Sequence, residues 1–208
     1  MNAKHITLIT LLVISGILIS LNNRRLQTNL TVSSSPIPTD SALPTPSLNP
    51  NCIPTFVDGG GPYYQANSPF RTNIAPEVNT GQKLIVSGKV LKSDCQVPAG
   101  SVVIDIWQAN ESGNYEDEWY RGQVTTQSDG SYYFETVIPL GYGQGTAYRP
   151  PHIHFKVWDG QREIITSQMF LPAARNQQID EAYIVKLDKQ TTDNGEVYYA
   201  THDIILPE

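Results

Sequence analysis

Beyond residue 80 the chain alternates apolar and polar residues with a period of two, in short runs punctuated by Gly, Pro, Asn and Asp. Successive side chains of a strand point to opposite faces, so this period specifies half-buried strands rather than amphipathic helices. The first runs are 83–91 (KLIVSGKVL) and 102–108 (VVIDIWQ). Runs at 123–127 and 132–137 flank Ser128-Asp129-Gly130, which reads as a hairpin turn. Further runs lie at 152–158, 164–170, 183–187, 197–200 and 203–206, with Asn194-Gly195 as another turn. Only 173–182 offers a helix in this part, and a short one. Many short strands separated by turn residues predict an all-β fold, an antiparallel β-sandwich with long loops.

The first fifty residues belong to something else. Lys4 and His5 precede an apolar run over 6–21, followed by Arg24 and Arg25. At 16 residues the run is long for a signal core and short for a membrane span of about 20. A cleaved export signal and an uncleaved membrane anchor both fit this N-terminal hydrophobic helix. A buried core helix fits less well, because charged ends isolate the segment. Positions 22–50 are rich in Ser, Thr, Pro and Asn, as in Ser33-Ser34-Ser35-Pro36 and Pro44-Thr45-Pro46. Such a stretch cannot build a core and is expected to be a disordered tether. The expected organisation is therefore 1–21 signal or anchor, 22–50 linker and 51–208 sandwich domain. The expected location is extracytoplasmic, whether secreted, periplasmic or membrane-anchored.

Two cysteines, Cys52 and Cys95, follow the tether. In an exported domain such a pair favours one disulfide, with two separate thiols as the alternative. N-glycosylation sequons occur at Asn29 and Asn110. The net charge is -6, and the first fifty residues carry +2, so the remainder carries -8. No basic patch of the kind nucleic acid requires is present, and a nucleic-acid partner is not expected.

Within this frame His152-Ile-His154 stands out. In the run at 152–158, Ile153, Phe155 and Val157 share the face expected to fill the core, and His152, His154 and Lys156 share the other. Two imidazoles on one face can hold one metal ion, although paired histidines on a polar strand face are often plain surface residues. Two tyrosines shift the balance. Tyr115 follows the strand ending at Gln108, on a loop that Gly113 frees to turn. Tyr142 lies in Pro139-Leu-Gly-Tyr142, again on a loop, where sites tend to form. Two imidazoles with two phenolate oxygens suit a hard trivalent cation, ferric iron.

The chain resembles the intradiol ring-cleavage dioxygenases, the family of catechol and protocatechuate dioxygenases. The resemblance is carried by Ile104-Asp-Ile-Trp107-Gln-Ala-Asn110, Gly113-Asn-Tyr115, Arg121-Gly122, Asp129-Gly130-Ser-Tyr-Tyr-Phe134, Pro139-Leu-Gly-Tyr142 and Tyr148-Arg149-Pro150-Pro151-His152-Ile-His154-Phe155. Gly61-Pro62-Tyr63-Tyr64 matches an upstream element, and the cysteine pair and leader look most like exported, single-chain members. The resemblance implies that Tyr115, Tyr142, His152 and His154 ligate a non-haem ferric iron, Fe(3+), with Tyr142 and His152 axial. It implies that Arg149 stabilises negative charge on the reacting ring, that Gln168 is a polar residue behind the ligands, and that Trp107 lies near the site. The implied activity is cleavage of a catechol-type diol between its hydroxyl-bearing carbons with O2, giving a cis,cis-muconate-type diacid, with Tyr142 accepting a substrate proton.

Some positions depart from the family pattern. Tyr148 stands where a Trp is common, Pro151 replaces an Ala, the loop over 143–147 is short, and Asp58-Gly-Gly-Gly61 precedes Pro62 in place of Thr-Glu-Gly. These changes leave the four ligands in place and alter loops that shape a pocket. The main rival is a metal-free extracytoplasmic β-sandwich module binding polysaccharide or protein. A cupin-type site also uses His-x-His but wants a Glu four or five residues on, where Trp158 and Asp159 stand. Glu116-Asp117-Glu118 reads as a solvated acidic loop, and His202 as a structural or exposed residue near the last strand.

Overall fold

A computed structural model describes residues 52–208 except positions 178 and 194. The apolar run over 6–21, the linker over 22–50 and Asn194 lie outside the described residues. Among the described residues nine strands build two stacked sheets: β1 (Lys83–Leu91), β2 (Val103–Gln108), β3 (Arg121–Thr125), β4 (Ser131–Val137), β5 (His152–Asp159), β6 (Arg162–Phe170), β7 (Leu187–Thr192), β8 (Gly195–Thr201) and β9 (Ile204–Ile205). One sheet runs β4-β1-β8-β7, with β9 also on β1, and the other runs β3-β2-β5-β6. The all-β sandwich read from the periodicity is what forms.

The core lies between the sheets. Leu84, Val86 and Val90 of β1 and Tyr132 and Phe134 of β4 meet Ile104 and Ile106 of β2 and Ile153, Phe155 and Val157 of β5. These are the inward sets that the alternation specifies. Gln108 fastens the two sheets at one end. Its buried amide donates to the carbonyls of Ala109 and Val137 and accepts from the Thr136 hydroxyl. Buried polar groups persist only when satisfied in this way.

Three local expectations change. The turn at Ser128–Gly130 forms, with Gly130 N–H donating to the Gln127 carbonyl, but it is not a hairpin. β3 pairs with β2 and β4 with β1, so the chain crosses from one sheet to the other there. The same turn residues serve a hairpin and a sheet-to-sheet corner, and what separates the two is which layer each apolar face must fill. The pairing is also not wholly antiparallel, since β8 and β9 run parallel to β1. Over 173–182 no α-helix forms among the described residues. Two 3-10 turns form instead, at Pro172–Gln177 and Glu181–Tyr183, and strand structure resumes at Leu187.

A strap leads into β1 and covers the outer face of the four-stranded sheet. Cys52 is bonded to Cys95 in the turn after β1, across a separation of 43 residues. Closing a loop of that length restricts the unfolded chain by about 4 kcal/mol. The strap then exchanges hydrogen bonds with Ile205 through Thr55, and Asp58 N–H donates to the Thr166 carbonyl of β6.

His202 is half-buried, with its ring turned against the core. Its ring meets Phe155 edge-on at 5.6 Å, and its Nε2 has no partner among the described residues. Burial lowers its pKa from 6.5 to about 4. Above about pH 6.5 neither the folded nor the unfolded chain protonates this ring. As pH falls toward 4, the unfolded chain takes up a proton that the fold excludes, so stability drops by about 1.4 kcal/mol per unit. Urea unfolding midpoints at pH 7.5 and 5.0 are expected to differ, and His202→Leu is expected to shrink that difference. An unchanged pH dependence in the variant would remove His202 from the account.

Candidate metal centre

The site lies on the outer face of the four-stranded sheet, which in a simple sandwich would meet water. Here β2 and β5 are buried on both faces because the strap lies across them. On that face Trp107, His154 and Gln168 form a row across β2, β5 and β6, and His152 sits opposite Phe170. Trp107 stacks on the His154 ring at 4.9 Å with planes 4° apart, so its contribution is to fix that ring.

Two loops bring the tyrosines. Asn110 organises the first. Its Oδ1 accepts from the N–H groups of Ser112 and Asn114, and its Nδ2 donates to Glu116 at 2.8 Å. The buried Arg121 guanidinium holds the carbonyl of Glu116, next to Tyr115. In the second loop, Tyr142 and Arg149 exchange both backbone hydrogen bonds, at 3.0 and 2.7 Å, closing the short segment between them. The loops are joined to each other where Leu140 N–H donates to the Asn110 carbonyl.

The structure brings the four candidate ligands together. The Nε2 atoms of His152 and His154 lie 3.0 Å apart, and the Tyr115 hydroxyl is 3.4 Å from His152 Nε2. The rings of Tyr115 and Tyr142 meet edge-on with centroids 5.5 Å apart, and Tyr142 is 5.8 Å from the His152 ring. Both histidines are buried. His152 Nδ1 lies 2.5 Å from the Pro150 carbonyl and is assigned as donor to it, which leaves the Nε2 lone pair facing His154. Burial lowers the pKa of His152 to about 4 and that of His154 to about 3, so both are neutral donors at neutral pH. Burial, then the neighbouring Tyr142 hydroxyl, pushes the Tyr115 phenol well up.

This donor set fits a metal ion. Two nitrogens bound at about 2.1 Å and at right angles to one another lie about 3.0 Å apart. That is the observed spacing. Among the described residues no three His, Cys, Asp or Glu side chains converge, so phenol oxygens would have to complete any such set. A bound cation also offsets the burial that keeps Tyr115 protonated.

Behind the donors, Arg149 Nη2 donates to Gln168 Oε1 at 3.0 Å, and Gln168 Nε2 donates to Asp58. Arg149 and Gln168 thus stand together beside the histidines. Sequence reasoning did not single out Asp58 or Tyr63 for the site. Tyr63 stacks on Tyr115 at 4.2 Å and 12°. Gly61 lies over His154, and an added Cβ there would make ordinary contact with the ring at 3.7 Å. Tyr64 packs against Trp107 and donates to Asp105. The triple glycine shows only that the strap is slim, and no local pattern says which face it crosses.

The dioxygenase family profile matches residues 59–192. The chain is 28% identical over 138 residues to a chlorocatechol 1,2-dioxygenase of Pseudomonas putida, covering 55% of this chain and 53% of that protein. It is 32% identical over 136 residues to catechol 1,2-dioxygenase 1 of Acinetobacter lwoffii, covering 52% of this chain and 43% of that one. The chain spans about half the length of the curated relatives it matches. Among solved structures, the dioxygenase domain of a dioxygenase–carbohydrate-binding fusion from Streptomyces sp. SirexAA-E is 31% identical. It superposes with a TM-score of 0.62 over 74% of this chain and 98% of that one. The 3-chlorocatechol 1,2-dioxygenase of Rhodococcus opacus 1CP shares the fold, with a TM-score of 0.67 over 73% of this chain and 72% of that one at 20% identity. The family match covers most of the described sandwich and every donor in the site, and on that ground the chain belongs to the intradiol ring-cleavage dioxygenases.

Proposed function

We propose that this protein is a ferric-iron intradiol dioxygenase that cleaves a catechol-type diol with O2 to a cis,cis-muconate-type diacid. The observation that carries the proposal is the convergence of His152, His154 and Tyr115 donors at 3.0 and 3.4 Å in a buried site, with Tyr142 edge-on to Tyr115. Tyr115, Tyr142, His152 and His154 would hold the iron, which when bound supplies a Lewis acid that a catechol dianion can chelate.

The rest is work for this chain's own side chains. Tyr142 stands at the end of a short loop and is the phenol assigned to take up a substrate hydroxyl proton. Arg149 faces the site with Gln168 hydrogen-bonded behind it, so its charge is fixed where negative charge develops on the ring. Trp107, Tyr63 and the strap exclude water from the donors. In a metal-free binding module the 3.0 Å contact would be a hydrogen bond between two imidazoles, which leaves the convergent phenols without a role.

Oxygen uptake and diacid formation by iron-loaded protein, measured against a panel of catechols, test the proposal. Absence of both across the panel would reject it. Arg149→Ala is expected to retain iron and lose about 100-fold in kcat/KM, with part of the loss recovered in Arg149→Lys. Unchanged turnover in the alanine variant would remove Arg149 from the charge-stabilising role. The N-terminal run is proposed to place the enzyme outside the cytoplasm, with the 22–50 linker as a tether. A fusion of residues 1–50 to a reporter, followed by fractionation, checks this.

A further inference from the structure

The donors are flanked by a cavity of about 470 Å³, a size usual for small-molecule sites. Its walls include Phe56, Tyr148, Phe170 and Tyr183, which suit an aromatic ring. Its charges are unbalanced. Arg149 is its one lining cation among the described residues, whereas Asp58 and Asp180 both line it. Arg149 is moreover directed to the reacting ring in the reading above, with Gln168 bridging it to Asp58. The Asp58 carboxylate is held on both oxygens, Oδ1 accepting from Gly59 N–H at 2.7 Å and Oδ2 from Gln168. Its backbone N–H is fixed on β6 through the Thr166 carbonyl.

We infer that Asp58 is a specificity-determining residue that selects catechols by the charge of their ring substituents. This rests on the ring-cleavage reading above and narrows it. A catechol bearing a carboxylate would bring a second anion toward Asp58 with no uncommitted cation to receive it. A neutral ring meets no such penalty, and an ammonium-bearing side chain finds Asp58 and Asp180 as partners. Like charges brought together against protein walls, where the effective dielectric is below that of bulk water, repel more strongly than they do in solution. The domain as a whole carries the same sign, which opposes approach of anions in addition. The preferred substrates are therefore catechols with uncharged or cationic substituents, and 3,4-dihydroxybenzoate is disfavoured.

The test compares kcat/KM of the iron-loaded full chain for catechol, 3,4-dihydroxybenzoate and 4-(2-aminoethyl)catechol, followed by oxygen uptake. The expected order places the carboxylate last, at least tenfold below catechol, with the gap narrowing as salt is raised. Asp58→Asn keeps an acceptor for Gln168 and removes the charge. It is expected to raise the carboxylate-to-catechol ratio at least threefold and to lower the aminoethyl-to-catechol ratio. Inhibition constants of benzoate and benzylamine against catechol should shift in the same two directions, a readout that does not depend on how fast a given diol is cleaved. Equal turnover of the carboxylate by the parent protein would overturn the inference, as would ratios that Asp58→Asn leaves unmoved. Oxygen uptake with none of the three sinks the ring-cleavage reading and this inference together, whereas uptake in the wrong order sinks the inference alone.

Discussion

Tyr115→Phe is expected to fold, to bind ferric iron at least tenfold more weakly, and to lack the red-brown colour that the proposed phenolate-to-iron charge transfer should give the parent. The substitution removes one oxygen and leaves the ring that stacks on Tyr63. Asn110 and Arg121 hold the loop through backbone groups and Glu116, none of which the hydroxyl touches. The fold is therefore insulated from the change, and the loss falls on the ligand set. Iron content by metal analysis and visible absorbance of concentrated protein read the result. Retention of both at parental levels would remove Tyr115 from the ligands. Tyr142→Phe makes an informative companion. Its loop is closed by the backbone pair with Arg149 rather than by its hydroxyl, so that variant too should fold.

A second large effect is expected far from the donor set. Gly88→Val should reduce stability by more than about 3 kcal/mol or prevent folding outright, because a Cβ at position 88 would lie 1.9 Å from the carbonyl oxygen of His202. The obstacle is backbone and cannot rotate away. Between β8 and β9 the chain dips under β1, with His202 N–H donating to the Ser87 carbonyl. The Asp203 side chain accepts the Lys89 N–H that a continuous strand would have satisfied, and the Tyr132 hydroxyl donates to the His202 carbonyl. A side chain at 88 has to dislodge this junction or lift β1 from the sheet. Urea unfolding of the variant beside the parent measures the effect, and a midpoint equal to the parent's would show that the junction can re-route at little cost.

How much of this was legible in the chain depends on which residues fix it. Ile153, Phe155 and Val157 announce their core face by alternation, and the same alternation puts His152 and His154 opposite them. What alternation cannot say is whether the opposite face is wet. Burial of the histidines depends on a strap that begins about a hundred residues earlier in sequence, and only its slimness, Gly59-Gly60-Gly61, is visible locally. The turn at Ser128–Gly130 was readable as a turn but not as a corner, because the choice between hairpin and crossover is made by β1 and β2 claiming β4 and β3. The parallel pairing of β8 with β1 is invisible for the same reason, since it joins segments more than a hundred residues apart. The motif order pointed to Tyr115 and Tyr142, two among eleven tyrosines, where composition alone could not.

The side-chain nitrogen of Asn110 is spent on Glu116, at the point where the two phenol-bearing loops meet. That nitrogen is also the atom a eukaryotic secretory pathway would conjugate, since Asn110-Glu111-Ser112 is an acceptor sequence. An oligosaccharide there would crowd the Glu116 contact that closes the Tyr115 loop. Material from yeast or insect cells should then divide into a sugar-bearing pale fraction and an unmodified coloured one, separable on a lectin column.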